Sequence, residues 1–133
     1  MKLTAKSEYA LLALVHLARS NSNEFLSGKT IADKQFIPPK FLEHILLSLK
    51  RAHYIQSTKG RGGGYRLAKP ASEISIAEIV RLFDGTLAPT ESVSKYFYEP
   101  TPIEKERKLV VIFGEIRDFV AQKLENTSIA DVA

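Results

Sequence analysis

The sequence predicts a mainly α fold with one small β-hairpin: a helix-turn-helix carrying a wing, joined to a long C-terminal helix. Three observations carry that expectation. A helical apolar period over residues 39–52 follows directly on a short capped segment. A glycine cluster, Lys59-Gly60-Arg61-Gly62-Gly63-Gly64, separates two short strand-like runs. A second apolar period, over about residues 102–125, is wider than a small domain can cover by itself.

The first helix is expected from about Thr4 to Arg19. Its apolar positions, Tyr9 through Val15 with Leu17 and Ala18, cover nearly the whole circumference. Such a helix is either central or partly covered by a second subunit. His16 interrupts it and reads as a packed or partner-facing residue, too far from His44 and His53 to suggest a metal site. Asn21-Ser22-Asn23 is a break. Ser27 then caps a short helix, about Gly28 to Lys34, with Ile31 and Ala32 inward. Pro38-Pro39 opens the next helix, since proline suits a first helical position. Its Leu42, Ile45, Leu46 and Leu49 fall at i, i+3, i+4 and i+7, and the opposite face carries Lys40, Glu43, His44, Leu47 and Arg51.

Tyr54 to Thr58 and Tyr65-Arg66-Leu67 read as paired strands around the glycine cluster, which supplies positive φ angles and a close backbone approach. A helix-turn-helix followed at once by such a hairpin is a winged helix. Ser75-Ile76-Ala77-Glu78 is a capping box opening a helix with Ile76, Ile79, Val80 and Phe83 on one face, stopped at Asp84-Gly85. From Thr86 to Pro100 the chain reads as irregular. Thr101-Pro102-Ile103-Glu104 is a second capping box, opening a helix of some 24 residues to about Glu125, roughly 36 Å long. Leu109, Ile112, Phe113, Ile116 and Val120 form its apolar stripe, widened by Val110, Val111 and Phe119; a partner subunit is the simplest cover. Thr127 to Val132 reads as a last short turn of helix. The expected division is residues 1–85, the winged helix-turn-helix domain; 86–101, a loop; and 102–133, a dimerisation helix with a C-terminal tail.

Composition narrows the function. Apolar residues make up 44% and charged residues 26%, as in ordinary globular proteins. No apolar run is long enough to cross a bilayer and no signal-peptide pattern opens the chain, so the expected location is the cytoplasm. There is no cysteine, which excludes disulfides, thiolate nucleophiles and cysteine-ligated metal centres. Charge is unevenly spread: residues 1–70 hold 12 Lys and Arg against 4 Asp and Glu, whereas residues 71–133 hold 7 against 11. A basic first half joined to an acidic remainder suits a polyanion partner for the first half only.

The second helix of a helix-turn-helix enters the major groove of double-stranded DNA, its N-terminal side chains at base edges. Here these are Lys40, Glu43 and His44, beside Pro39. Lysine donates to guanine and glutamate accepts from the cytosine amino group, so a carboxylate facing a polyanion points to base reading. The alternative is a solvated helix face. Ser27 and Arg51 would hold phosphates, positioning the helix without reading sequence. Lys59 and Arg61 at the hairpin tip would reach the minor groove or its flanking phosphates, the alternative being a hairpin that touches nothing. The glycines do not form a nucleotide-binding loop, because a strand follows where such a loop needs a helix, and no Lys-Ser/Thr pair is present. A homodimer would read a palindromic operator with two such helices.

Leu42-Glu43-His44-Ile45-Leu46, Leu49-Lys50-Arg51-Ala52 and the run Lys59 to Ala68 strongly resemble the Rrf-two family of IscR/NsrR/CymR-type winged-helix regulators; Ser7-Glu8-Tyr9-Ala10 and Ile74 to Gly85 also fit. The resemblance spans essentially the whole chain. It implies a dimeric repressor or activator of transcription, with a long helix from each subunit crossing the other. Sensor members of the family hold an iron–sulfur cluster on three cysteines between the wing-side helix and the dimer helix. The matching segment here, about Leu87 to Lys108, has Ser92, Ser94, Tyr96, Phe97 and Tyr98 and no thiolate, so no such cofactor is expected. Similarity to cluster-free members implies a docking metabolic enzyme or a small molecule as effector. Tyr96, Phe97 and Tyr98 would either contact it or pack on the dimer helix. A second reading of the whole chain is a protein-interaction module whose basic face binds a protein. An enzyme is the weakest reading, since no triad, carboxylate pair or metal cluster can be assembled.

Overall fold

The computed structural model describes residues 1–20 and 23–133. In chain order these hold α1 (Ala5–Arg19), α2 (Gly28–Gln35), α3 (Pro39–Arg51), β1 (Ile55–Thr58), β2 (Gly64–Leu67), α4 (Ile76–Asp84), α5 (Arg107–Glu125) and α6 (Ile129–Val132), with 3-10 turns at Ala71–Glu73, Glu91–Val93 and Pro102–Lys105. Asn21 and Ser22 of the expected break lie outside the described residues.

α1 starts where its cap dictates. The Thr4 side chain accepts the Ser7 N–H at 3.3 Å, satisfying one of the orphan donors of the first turn. Thr4 is itself held from afar: its N–H donates to Asp84 Oδ2 at 3.2 Å and its hydroxyl to Asp84 Oδ1. The end of α4 is thereby tied to the start of α1. The helix is central, as one of the two sequence alternatives required. Ala10, Ala13, Leu14 and Leu17 are buried, and α2, α3, α4, α6 and β2 all pack on it. Only Leu12 among its leucines is exposed. His16 is half-buried, with Nδ1 3.4 Å from Gln35 Nε2. Burial, then the charges of Arg19 and Lys34, lower its pKa.

α2 and α3 close the helix-turn-helix around Ile31, Leu42, Ile45, Leu46 and Leu49, which share one core with α1, Ile55, Ile74, Ile79 and Ile129. The hairpin pairs antiparallel from Ile55↔Leu67 to Thr58↔Gly64. A further pairing joins it to the approach to α2: Leu26 N–H donates to Tyr65 O at 2.8 Å and Tyr65 N–H to Leu26 O at 2.7 Å. The wing is thus anchored to the helix-turn-helix by backbone bonds as well as by sequence continuity.

α4 has the expected capping box, with reciprocal Ser75–Glu78 bonds of 3.1 and 2.8 Å. Its buried face differs slightly from the expected one: Ala77, Ile79 and Val80 are buried, while Ile76 and Phe83 are only half-buried. The second box at Thr101 does not form. Residues Pro102–Lys105 make a 3-10 turn without a side-chain cap, Glu106 is extended, and α5 begins at Arg107. The groups that would have closed the box are engaged elsewhere: the Thr101 hydroxyl donates to Ser92 Oγ at 2.5 Å, and the Glu104 carboxylate accepts from Tyr98 Oη. α5 therefore has 19 residues, about 28 Å at 1.5 Å per residue. After it, Ser128 and Asp131 form a capping box, Ser75 pairs with Ser128 as an isolated bridge, and Ile129 is fully buried in the α1 core.

The wing root is tied to α4 by Tyr54, whose hydroxyl donates to Glu78 Oε1 at 3.2 Å and whose ring lies 4.6 Å from Lys69 Nζ. Burial, then the Glu78 charge and hydrogen bond, push the Tyr54 phenol up to about 12. Burial alone would raise the Glu78 carboxyl, yet hydrogen bonds from Ser75 and Tyr54 and the Lys69 charge hold it below its usual range. A phenol with a raised folded-state pKa stabilises fully below its ordinary value of 10.0, and that contribution is lost as pH climbs towards 12. Tyr54→Phe should cost about 1 kcal/mol at neutral pH. It should also flatten the fall in melting temperature between those pH values. An unchanged alkaline slope would remove Tyr54 from the linkage.

Candidate nucleic-acid interface

Eight residues were expected at this face, Ser27, Pro39, Lys40, Glu43, His44, Arg51, Lys59 and Arg61, and all eight are exposed. α3 turns Leu42, Ile45, Leu46 and Leu49 inward, which obliges Lys40, Glu43, His44, Leu47 and Arg51 to line the outer face. Pro39 sits at the first helical position, ahead of them. None of Lys40, Glu43, Arg51, Lys59 or Arg61 takes part in an ion pair among the described residues. Unpaired charges of this kind are free for an external partner. Glu43 has the same freedom, a lone carboxylate on a face otherwise basic and apolar.

Ser27 caps α2, its Oγ accepting the Thr30 N–H at 3.1 Å and lying 2.9 Å from Thr30 Oγ1. It stands against the wing, because Leu26 and Tyr65 are paired on one side of it. Gly64 makes that approach possible. Its φ is +152°, and a Cβ there would lie 2.1 Å from Leu26 O and 2.7 Å from Ser27 N. Further out, Gly60 (φ +87°) and Gly62 (φ +76°) have open space around them and serve the turn alone. Arg66, by contrast, is a brace: its guanidinium lies 4.4 Å over the Phe25 ring, and its Nε and Nη2 donate to Gln56 Oε1 at 3.3 Å.

Two neighbours of this face have little signal in the sequence. Lys6 shares a groove with His44, Ser48 and Arg51, floored by Phe41, Ile45 and Phe83. Its place in α1 gives no hint of this, because the meeting depends on how α1 crosses α3. Phe36 caps α2 in the left-handed conformation (φ 55°, ψ 44°) and is 89% exposed, in the short connection to α3. Glycine is the residue that normally marks such a turn.

The segment 86–101 lies between α4 and α5. Ser92, Val93 and Ser94 are buried, and Arg117 of α5 holds the segment by donating from Nη1 to Val93 O at 2.8 Å. Tyr96, Phe97 and Tyr98 are exposed in the single chain, at 62%, 46% and 56%. The donors here are hydroxyls in short chains, Thr101 to Ser92 and Thr86 to Ser94. Such hard, weak donors do not fit an iron–sulfur cluster, which is held by thiolates. Among the described residues no group of three or more His, Cys, Asp and Glu could hold a metal ion, and no helix is long and apolar enough to cross a membrane.

Comparison with known proteins agrees with this geometry. The family model Rrf2, described as an iron-dependent transcriptional regulator, matches residues 3–133. Protein rrf2 of Nitratidesulfovibrio vulgaris is 33% identical over 135 residues, covering 99% of this chain and 87% of that protein. The oxidized form of CymR from Staphylococcus aureus superposes with a TM-score of 0.75 at 33% identity, covering 100% of this chain and 96% of that one. CymR of Bacillus subtilis, its global cysteine regulator, gives a TM-score of 0.80 at 26% identity, with the same two coverages. Helix-turn-helix, glycine-tipped wing and end-to-end similarity agree: the chain belongs to the Rrf2 family of DNA-binding transcriptional regulators.

Proposed function

We propose that this chain is a sequence-specific regulator, acting as a homodimeric repressor on a palindromic operator and working without a cysteine-ligated cluster. The observation that carries the reading is the set of exposed, unpaired charges on α3 and the wing, within a half of the chain that holds 12 Lys and Arg against 4 Asp and Glu. Lys40, Glu43 and His44 read base edges; Ser27 and Arg51 bind phosphates; Lys59 and Arg61 follow the minor groove or its rim. The homodimer is supported by α5, where Leu109, Ile112, Ile116 and Phe119 leave an apolar stripe exposed. An effector acts through the 86–101 segment, whose aromatic side chains are open to a ligand or a docking enzyme.

The test is binding to a selected operator duplex over a range of salt. Log affinity should fall linearly with log salt, with a slope near −0.9 per phosphate neutralised. The double variant Lys59→Ala/Arg61→Ala should weaken all duplexes by about tenfold or more and flatten that slope by about 2 to 4. Glu43→Ala should leave non-specific binding intact and relax the preference at one base pair per half-site by roughly tenfold, the scale of about 1–3 kcal/mol for a good base contact. A flat salt dependence, with a protein partner competing for the same face, would replace this reading by that of an interaction module.

A further inference from the structure

A cavity of about 270 Å³ lies between the end of α4, the 86–101 segment and α5. Its apolar part comes from Leu87, Ala88 and Ala121, and its aromatic part from Tyr96 and Phe97. Three cations and two carboxylates complete it: Arg81, Lys95, Arg117, Asp118 and Glu125. Four of these five are already matched. Arg81 Nη2 is 2.6 Å from Glu125 Oε1, and Arg117 Nη2 is 2.9 Å from Asp118 Oδ1. Lys95 is left over. Its Nζ lies 5.5 Å from the Tyr96 ring centroid, and it has no carboxylate partner among the described residues. The Arg81 guanidinium stands 5.0 Å over the same ring.

The cavity is also placed to stay open in a dimer. At about 100° per residue along α5, Asp118, Ala121 and Glu125 fall roughly opposite the exposed stripe of Ile112, Ile116 and Phe119. A second copy seated on the stripe would not fill the cavity. The segment is not loose packing either, since Ser94 Oγ accepts the Phe97 N–H at 2.9 Å and Arg117 holds Val93 O.

We propose that this cavity is a binding site for a small aromatic carboxylate. Its one free positive charge beside an aromatic and aliphatic wall calls for one negative charge on a flat apolar body. The ring lies against Tyr96, Phe97 and Leu87, and the carboxylate takes Lys95, with Arg81 as a second donor. The volume, about 270 Å³, lies just below the roughly 300–1,000 Å³ of pockets for drug-sized ligands, and so suits a small ligand. Occupancy is felt by the DNA-binding half through α4, whose Asp84 holds Thr4 at the start of α1. The site itself does not rest on the DNA-binding reading.

The test is titration of the full-length protein, without DNA, by benzoate and by its neutral isostere benzamide, followed by NMR. Benzoate should shift the resonances of Ala88, Tyr96 and Phe97 and bind about tenfold more tightly than benzamide, the gain expected of a charge-assisted contact. Lys95→Met should weaken benzoate by about tenfold and leave benzamide unchanged, whereas Lys105→Met, outside the cavity, should affect neither. Tyr96→Ala should weaken both ligands. The proposal is overturned if millimolar benzoate leaves those three residues unshifted, or if Lys95→Met and Lys105→Met weaken it equally. Because no operator is present, these outcomes are independent of whether the chain binds DNA.

Discussion

Gly64→Ala is expected to lower stability by about 3–5 kcal/mol, a drop of about 10–20 °C in melting temperature for a chain of this size. The added methyl group would meet backbone: Leu26 O at 2.1 Å, Leu26 C at 2.4 Å and Ser27 N at 2.7 Å. Backbone cannot swing aside as the end of a flexible side chain can, so either β2 moves away or the Leu26–Tyr65 pair breaks. Both of its hydrogen bonds, at 2.8 and 2.7 Å, are at risk, and the φ of +152° adds strain for any residue with a Cβ. The control is Gly62→Ala, where φ is +76° but nothing lies within 4 Å. There the conformational cost alone, about 1–2 kcal/mol, should be seen. Urea unfolding of both variants separates the cases, and equal losses would mean that the wing does not press on the helix-turn-helix. Gly64→Ala should also weaken operator binding beyond its effect on stability, since the same displacement moves Lys59 and Arg61 relative to α3.

The N-terminal half was legible because its determinants are local. Ser27, Pro39 and the i, i+3, i+4, i+7 leucines each act within one or two turns, and the helices start where those residues place them. The capping box at Ser75 was found for the same reason. The box at Thr101 failed although its pattern is equally good. Both of its side chains found other partners, Ser92 nine residues away and Tyr98 six, and that competition exists only once segment 86–101 has folded over. Ile129 illustrates the same limit: nothing around it distinguishes a tail from a core residue, yet it is fully buried against α1. At the interface the expected side chains are all exposed on α3, α2 and the wing. Lys6 carries no such local signal, because its place beside His44 and Arg51 depends on the crossing of two helices. The exposed stripe on α5 is narrower than its sequence suggests. Phe113, Val110 and Val120 are half-buried against their own chain, leaving Leu109, Val111, Ile112, Ile116 and Phe119 exposed.

Phe119→Glu is expected to abolish dimerisation at micromolar concentration. Phe119 is 73% exposed, flanked on the same stripe by Ile112 at 51% and Ile116 at 43%, and it borders an apolar groove with Leu3, Leu87 and Pro89. An isolated chain gains nothing from such a stripe, while a second copy would bury it. Covering one phenylalanine contributes about 1.5–3 kcal/mol, and twofold symmetry brings each substitution into the seam twice. Glutamate removes both contributions and places two like charges where water is excluded, which adds several kcal/mol more. The sum corresponds to a dissociation constant raised by roughly a thousandfold or more. Sedimentation should show the variant as a monomer with unchanged helical content, and operator affinity should collapse towards the non-specific level, because one helix reads only a few base pairs. Phe36→Glu, at a side chain still more exposed but outside α5, should remain dimeric. If Phe119→Glu also remained dimeric, the apolar stripe of α5 would not be the seam, and the symmetric pairing of recognition helices would have to be built on another surface.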